Sequence, residues 1–461
     1  MNPSAGGGLG QVRRTHFVAI GGAGLSAMAL VLYERGVSVS GSDAADSPAV
    51  ARLRARGVPV TIGHAAENVG AAELVVRSRA IDDSNPEVIE AGRRGIPVWD
   101  CTAAMVALME GKRGVGITGT HGKTSTTAML TLVLRADGRD PSFIVGGEVR
   151  DLGDNGHSGS DELMVVEADE SDGTFVALPC EAGLVTSVEP DHMEHFGTVE
   201  RLHADFAGFV ARLKGPRVVY GDDTFLRTLP STVQYGTRDD AAYRLRSVDA
   251  SDGGSVLDVE SPRGRLAVPF RLAAHHFALN ATGALALALE LGAEPAAAVT
   301  ALGAYRGVAR RFEERGTAGG VRVVDDFAHL PAEVACTIAA SAGAGFGAGR
   351  VVAVFQPHRY SRTESMWREF GPAFRGAACV VVTDVYGGPG EEAIPGVTGE
   401  LVARAVREAL PGVDVVYVAD RSEVAPTVAG LVKPGDVVLS MGAGNIGGLA
   451  DELLPLLGGA A

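Results

Sequence analysis

The stretch Val115–Thr127, VGITGTHGKTSTT, decides how the rest of the chain is read. An apolar run with Val115 and Ile117 gives way to Gly119, Thr120, His121, Gly122, Lys123 and Thr124, and after Ser125 the segment AMLTLVLRA continues at helical spacing. The order is strand, glycine turn, helix. Glycines at such a turn let backbone N–H groups close around phosphate oxygens at a helix N-terminus. Lys123 supplies a mobile positive charge there, and the Thr124 hydroxyl is suited to ligate Mg2+. The general form G-x-x-x-x-G-K-[ST] requires glycine at position 117, where the chain has Ile117, so this candidate ATP loop is a variant. The plain alternative is a chance glycine turn.

Composition sets the outer bounds. A chain of 461 residues has room for two to four domains and large cores. A formal charge of -15 argues against nucleic acid or an anionic membrane as the main partner, because phosphate backbones demand clustered Lys and Arg. Cys101, Cys180, Cys336 and Cys379 lie far apart without metal-like spacing. No apolar run approaches about 18 residues and no signal-like N-terminus appears, so a cytoplasmic protein without membrane insertion is expected.

Residues 1–13 begin MNPSAGGGLGQV, glycine-rich without periodicity, and are expected to form a disordered leader. HFVAIGGAGLSAMALVLYERG then reads as strand, glycine turn and helix. Gly22, Ala23, Gly24 and Ser26 fall in a G-x-G-x-x-[GA] pattern, and Asp43 follows about 20 residues on at the end of a second strand. On its face this is a dinucleotide fingerprint, so an NAD-dependent dehydrogenase stays in play. The same geometry holds any pyrophosphate, including that of a UDP-sugar. Leu74–Ile81 and Gly95–Asp100 read as two more parallel strands flanking an NPEVIEAGRR helix, which closes a first domain over 14–108.

Beyond the ATP loop, LMVVEADESDGTF runs a strand into Glu167, Asp169, Glu170 and Asp172, with Glu162 upstream. Glu167 is the natural Mg2+ ligand, because that ion takes one or two carboxylates and leaves the rest to water and phosphate. Glu170 and Asp172 read rather as a solvated acidic turn. AGLVTSVEPDHMEHFG repeats the grammar and carries His192 and His195, but no H-E-x-x-H or cysteine pair supports a zinc site. The stretch 224–270 is turn-rich, carries no assignable chemistry and is expected to complete the central domain. Asn280, four residues after His276 on one helical face, has an amide able to read adenine. A third domain, 313–461, follows the central one at 109–312, with strands at VRVVDD, VVAVF, CVVVTD, VVYV and DVVLS. Its closing GAGNIGG fits G-x-G-x-x-G, yet only one helix follows, so it reads as a packing turn. Arg359 and Arg362 in FQPHRYSRT lie three apart, on one helical face at a strand end, and paired guanidiniums suit a carboxylate.

The tight G-T-x-G-K-T loop, together with EADESD, DHM, GVARRF, DDFAHLP, FQPHRYSRT and GAGNIG in that order, resembles the Mur ligase superfamily, ATP-dependent amide-forming enzymes. The resemblance implies an α/β chain of three domains, each on a mainly parallel sheet: Rossmann-like, central P-loop-ATPase-like, and Rossmann-like again. It implies ATP and Mg2+ as cofactors, with Lys123, Glu167 and His192 catalytic and Thr124, Glu167 and His192 at metal. Asn280, Arg311 and Asp326 would join the loop in holding ATP. Gly22, Ala23, Gly24, Ser26, Asp43 and Ser78 would hold a UDP-substrate, and His329, Arg359 and Arg362 the amino acid. Phe277 stands where the family has Asn, Leu330 where it has a second His, and Arg79 departs from a Ser-Ser-Ala-Ile-like turn. These departures leave open which amino acid and carboxylate are joined, in primary or specialised metabolism. A monomer or homodimer acting on small molecules is expected.

An amide ligase explains both glycine loops, the acidic strand end and the arginine pair. A dehydrogenase explains only the first loop, and an ATPase coupled to partner binding only the second. No nicotinamide cofactor is therefore expected.

Overall fold

The computed structural model describes residues 9–171, 173–251, 254–272, 274–341, 349–388 and 391–458. Parallel strands covered on both faces need near-continuous apolar runs, and the strands read from the sequence supply them. The first sheet comprises β1 (Arg14–Val18), β2 (Ser38–Asp43), β3 (Val60–Ile62), β4 (Leu74–Arg77) and β5 (Val98–Asp100), all parallel in the order β3-β2-β1-β4-β5. Three-residue β3 was not apparent in the sequence. Asn85 caps the helix Pro86–Arg94 by accepting from Glu87 N at 2.9 Å, and Gly95 ends it in the left-handed region.

The second sheet contains β6 (Arg113–Thr118), β7 (Ser142–Val149), β8 (Asp154–His157), β9 (Leu163–Glu167), β10 (Cys180–Val185), β11 (Arg217–Tyr220), β12 (Val233–Gly236), β13 (Tyr243–Ser251), β14 (Gly254–Ser261) and β15 (Gly264–Phe270). Its order is β15-β14-β13-β12-β11-β10-β6-β9-β7-β8. The stretch 224–270 is strand-rich rather than turn-rich: β12 to β15 extend the central sheet, in keeping with its expected place in the central domain, and β14 alternates buried and half-exposed residues as a one-sided strand should. The third sheet holds β16 (Glu313–Ala318), β17 (Val321–Asp326), β18 (Val351–Phe355), β19 (Cys379–Thr383), β20 (Asp414–Val418) and β21 (Val437–Met441), ordered β16-β17-β21-β18-β19-β20. β16, EERGTA, is an antiparallel edge too polar to have been read as a strand.

The first sheet, and the second apart from the adjoining ends of β13 and β14, belong to one compact unit, residues 1–248, 256–270 and 278–306; the third sheet belongs to a second unit, residues 249–255, 271–277 and 307–461. In the first unit one apolar cluster runs from Phe17 and Leu30 through Met105 and Leu108 to Phe175 and Phe206. The helix Ala23–Glu34 after the first glycine turn packs on β7 and β8 so closely that a Cβ at Gly156 would lie 2.4 Å from Ala27 O. The second unit is cored by Val323, Val354, Val381, Val438 and Leu453.

Ordered structure is already present at Leu9, ahead of the expected start at Arg14. Residues 1–8 lie outside the described residues, but Leu9–Gln11 form a 3-10 turn, Leu9 is buried in the first core, and Arg13 N and Arg14 Nη2 bind Glu73 at 2.8 and 2.9 Å. Burial of Leu9 and the two bonds to Glu73 offset part of the chain entropy that ordering the short turn costs.

Gly41 sits in β2 against the first glycine turn, where a Cβ would lie 2.5 Å from Ile20 Cδ1 and 2.9 Å from Phe17 O. Gly41→Ala is expected to cost about 1–3 kcal/mol through overpacking, seen as a lower melting temperature. Gly10→Ala, where no atom lies within 4 Å, should leave the melt unchanged.

Candidate active site

β6 delivers the chain into the phosphate turn between two neighbours, β9 and β10, whose C-terminal loops frame it. Gly119 has φ 130° and a Cβ there would meet Thr186 Oγ1 at 2.2 Å, so only glycine fits. Gly122, at φ 81°, caps the helix Lys123–Ala136 without any side-chain hydrogen bond. That leaves the positive end of a 14-residue helix open for an anion. The loop after β10 braces the turn: Thr120 N donates to Ser187 O at 3.0 Å, His121 N to Ser187 Oγ at 3.1 Å, and Glu189 N to Thr120 Oγ1 at 2.9 Å. Ser125 is buried in the helix's first turn.

Lys123 is not the mobile charge its sequence context suggested. Its Nζ is fixed by Gly119 O at 2.8 Å and by Glu170 Oε2 at 2.7 Å. Glu170, expected in a solvated turn, is 2% exposed. Burial works against charge on Lys123, but Glu170, Asp169 and Glu167 more than offset it and hold the ammonium protonated. Burial pushes the Glu170 carboxyl up to about 7 in spite of Lys123. Asp172 lies outside the described residues.

Glu167, at the end of β9, accepts from Thr124 Oγ1 at 2.9 Å and from Gly146 N at 2.6 Å. A Cβ at Gly146 would fall 2.6 Å from that carboxylate, so glycine makes the space in which it sits. Among the described residues no cluster of three His, Cys, Asp or Glu could cage a metal. One carboxylate beside one hydroxyl is the donor set of an ion that takes its remaining ligands from phosphate and water. His192 has φ 53° before the short helix Met193–Phe196, with Nε2 3.4 Å from Asp191 Oδ2. Desolvation works against charge on neighbouring Asp169, but Lys123 and hydrogen bonds from Ser171 hold its carboxyl below its usual range. His195 is exposed.

Asn280 meets the loop elsewhere than adenine reading would require: a Cβ at Gly122 would lie 2.4 Å from Asn280 Oδ1, so its amide lies at the phosphate turn. In the first sheet, Gly22 caps the helix Ala23–Glu34 with no side-chain bond, leaving Ala23 and Gly24 in an open first turn. Asp43 turns inward, accepting from Gly21 N at 2.8 Å. Ser26 is a correction. Its hydroxyl is 1% exposed, donates to Ala23 O at 3.0 Å and accepts from Asn155 Nδ2 at 3.1 Å, so it fastens the turn rather than facing a ligand. Ser78 directly follows β4, its N donating to Val18 O of β1 at 3.2 Å, and exposed Arg79 donates to Thr102 Oγ1 at 2.9 Å.

In the second unit, Asp326 is another correction. Its oxygens accept from Phe312 N at 2.6 Å, Ala328 N at 2.8 Å and Thr337 Oγ1 at 3.3 Å, which makes it a buried brace and raises its pKa by desolvation. Arg311 lies over the Phe327 ring at 5.0 Å, and Phe277 is buried against Phe312. Arg359 and Arg362 do not share a helical face. Arg359 precedes the helix Tyr360–Met366 at φ 69°, held by a bond from its N to Tyr386 O at 2.9 Å, whereas Arg362 lies within the helix, its Nη1 3.4 Å from His358 Nδ1. Glu391 enforces this bend by accepting from Tyr360 N and Ser361 N, both at 3.1 Å, and from Ser361 Oγ at 2.8 Å. His329 and His358 face each other edge-on at 6.0 Å, and Leu330 is buried. GAGNIGG is indeed a packed turn, stapled by Gln356 Nε2 to Asn445 Oδ1 at 2.8 Å and Ile446 N to Gln356 Oε1 at 3.1 Å.

Sequence reasoning missed Glu170, Asn155, His358 and Glu391. His358 was within sight, adjoining the arginines in FQPHRYSRT. Glu391 lies 30 residues from Ser361 and gives no local signal.

Three connected sheets with a phosphate turn in the middle one define a nucleotide-dependent α/β enzyme. Residues 14–113 match the Mur ligase family, catalytic domain, residues 117–288 the Mur ligase middle domain, and residues 310–444 the Mur ligase, glutamate ligase domain. The chain belongs to the Mur ligase family. It is 44% identical, over 97% of its length and 96% of the relative's, to the UDP-N-acetylmuramate–L-alanine ligase of Mycobacterium sp. (strain JLS). It is 42% identical to the ligase of the same name from Rubrobacter xylanophilus, covering 96% of this chain and 100% of that one. Among solved structures, UDP-N-acetylmuramate-alanine ligase MurC from Thermotoga maritima superposes with a TM-score of 0.83 at 29% identity, over 95% of this chain and 98% of that chain. MurF ligase from Thermotoga maritima in complex with ADP shares the fold, with a TM-score of 0.60 at 19% identity over 94% and 97% of the two chains.

Lys123→Ala strands Glu170 in the core, and breaking such a pair costs about 3–5 kcal/mol. The folded Glu170 pKa, about 7, lies above the ordinary carboxylate value of 4.5, so stability linked to this group falls as pH rises between the two. The melting temperature of Lys123→Ala should therefore approach wild type near about pH 5 and fall away towards about pH 8.5, and Glu170→Gln in the same chain should flatten that slope.

Proposed function

We propose that this chain is an ATP-dependent ligase that joins L-alanine to the carboxylate of UDP-N-acetylmuramate in cytoplasmic peptidoglycan precursor synthesis. The observation that carries the reading is the open helix start at Gly122, with Lys123 and the Thr124–Glu167 pair beside it, in a chain 44% identical to ligases of that name. Residues 14–108 bind the UDP-substrate through the turn at Gly22–Gly24, residues 109–312 bind ATP, and residues 313–461 bind the amino acid.

The substrate carboxylate attacks the γ-phosphorus of ATP, ADP leaves, and an acyl-phosphate forms. The amino group of alanine then adds to the acyl carbon, and phosphate departs to leave the amide. Attack of one anion on another is the difficult step, so fixed positive charge supplies much of the rate. Lys123 and the N–H groups of the helix start meet the phosphate oxygens, and Asn280 and Arg311 complete the nucleotide contacts. Thr124 and Glu167, with His192 nearby, would hold Mg2+, which neutralises phosphate charge when bound. Arg359 and Arg362 hold the alanine carboxylate, one from the bend and one from the helix.

The reading is tested by phosphate release from ATP with UDP-N-acetylmuramate and each of a panel of amino acids. Release that depends on both substrates and favours L-alanine is expected; release without any carboxylate substrate, or saturable NADH binding with hydride transfer, would sink it. Arg362→Lys keeps the charge but loses the planar fork, so the alanine KM should rise roughly tenfold or more while the KM for ATP stays near wild type. A weakened ATP KM with alanine unaffected would move the arginine to the nucleotide site.

A further inference from the structure

A protonated lysine has three hydrogens to give, and those of Lys123 are all taken. Gly119 O accepts at 2.8 Å, Thr120 O at 3.3 Å, and the Glu170 carboxylate lies with Oε1 at 2.9 Å and Oε2 at 2.7 Å. A phosphate oxygen can reach this ammonium only by taking the place of one of these partners. The two carbonyls belong to the phosphate turn itself, whose shape Gly119 fixes at φ 130°. Glu170 comes from another segment, beyond the end of β9, so it is the partner that can leave.

The way Glu170 is held points in the same direction. Carboxylates that brace this fold are gripped from several sides: Asp326 by Phe312 N, Ala328 N and Thr337 Oγ1, and Glu391 by Tyr360 N, Ser361 N and Ser361 Oγ. Among the described residues, Lys123 is the one side chain that donates to the Glu170 carboxylate, which is buried nonetheless. Its hold is on the same cation that a phosphate needs.

We propose that Glu170 is an internal stand-in for the nucleotide, an autoinhibitory contact that occupies Lys123 until a phosphate oxygen displaces it. The inference rests on reading the Gly119–Thr124 turn as the ATP site. Inorganic phosphate gains only the exchange of one anion for another at Lys123, whereas a nucleotide also gains the contacts of its base and sugar. The threshold that Glu170 sets therefore favours the whole nucleotide, and the carboxylate returning to Lys123 after turnover helps ADP to leave. Burial, helped by Asp169, pushes the Glu170 carboxyl up to about 7 against the pull of Lys123. Once released from the ammonium it takes a proton rather than remaining a buried charge.

The test is the affinity of the full-length chain for ADP without divalent metal, measured by titration calorimetry. Glu170→Gln keeps the shape and removes the competing charge, so its ADP Kd should be about tenfold below that of wild type, as expected when the competent state rises from a tenth of the population to most of it. Asp169→Asn removes the neighbouring exposed charge and should change the Kd by about threefold at most. An unchanged or raised Kd for Glu170→Gln, or an equal gain with Asp169→Asn, would overturn the proposal. If Glu170→Gln does not melt cooperatively, Glu170→Asp decides, because it keeps the charge but draws it back by one methylene. Tighter ADP binding by that variant supports displacement, and unchanged or weaker binding shows that Glu170 serves the bound nucleotide instead. Wild type that binds no ADP would refute the nucleotide reading itself.

Discussion

The buried pair of Lys123 and Glu170 is the constraint on which the nucleotide end of the molecule depends. An uncapped helix start contributes roughly half a positive charge, and Lys123 adds a full one within the same turn. Without an anion the two would repel in a dry place. Glu170 supplies that anion from the loop after β9, at 2.7 Å. A phosphate binding here competes with an internal carboxylate for one ammonium, so its affinity reflects only the difference between the two. A Glu170 carboxyl pushed up to about 7 loses its charge readily near neutrality, which lowers the cost of displacing it.

The same loop economy recurs at Glu167. Thr124 comes from the helix after β6, Gly146 from β7 and Glu167 from β9, three neighbouring strands of one parallel sheet. β7 continues through a hairpin to β8, whose Asn155 donates to Ala23 O at 2.8 Å in the first glycine turn. One hairpin therefore touches both the carboxylate at the phosphate loop and the turn of the first sheet. A shift in either is resisted by bonds between side chain and backbone, Gly146 N to Glu167 Oε2 and Asn155 Nδ2 to Ala23 O, which fixes both against a common frame.

Much of this was legible because it is local. The phosphate turn, the strands ending in Asp43, Glu167 and Asp326, and the GAGNIGG turn are each decided within a few residues by glycine geometry and apolar runs. What escaped the sequence was direction. EADESD offers four acids, and nothing in their order says that Glu170 turns inward while Asp169 stays at the surface. FQPHRYSRT places two arginines at helical spacing, but the helix starts only at Tyr360, because Glu391, far along the chain, caps it there. Long-range partners of this kind leave no periodicity to read, and polar edge strands such as β16 leave no apolar pattern.

The two glycine fingerprints show why pattern alone underdetermines chemistry. GGAGLSA satisfies the dinucleotide pattern down to the acid at the end of β2, yet Asp43 spends its carboxylate on Gly21 N, within the turn itself. An acid that is to bind a ribose must present oxygens to solvent; one that accepts from the turn's own backbone stiffens the turn instead, and a Cβ at Gly21 would sit 2.8 Å from it. GAGNIGG likewise satisfies the pattern, but Gln356 takes up its Asn445 side chain and Ile446 N–H, and a Cβ at Gly447 would lie 2.6 Å from the Arg310 guanidinium. In each case the deciding fact is where the turn's hydrogen-bonding capacity is already committed. Among the described residues, only the turn at Gly122 leaves a long helix start uncapped beside a cation and a hydroxyl–carboxylate pair, and that is where phosphate chemistry has a place to happen.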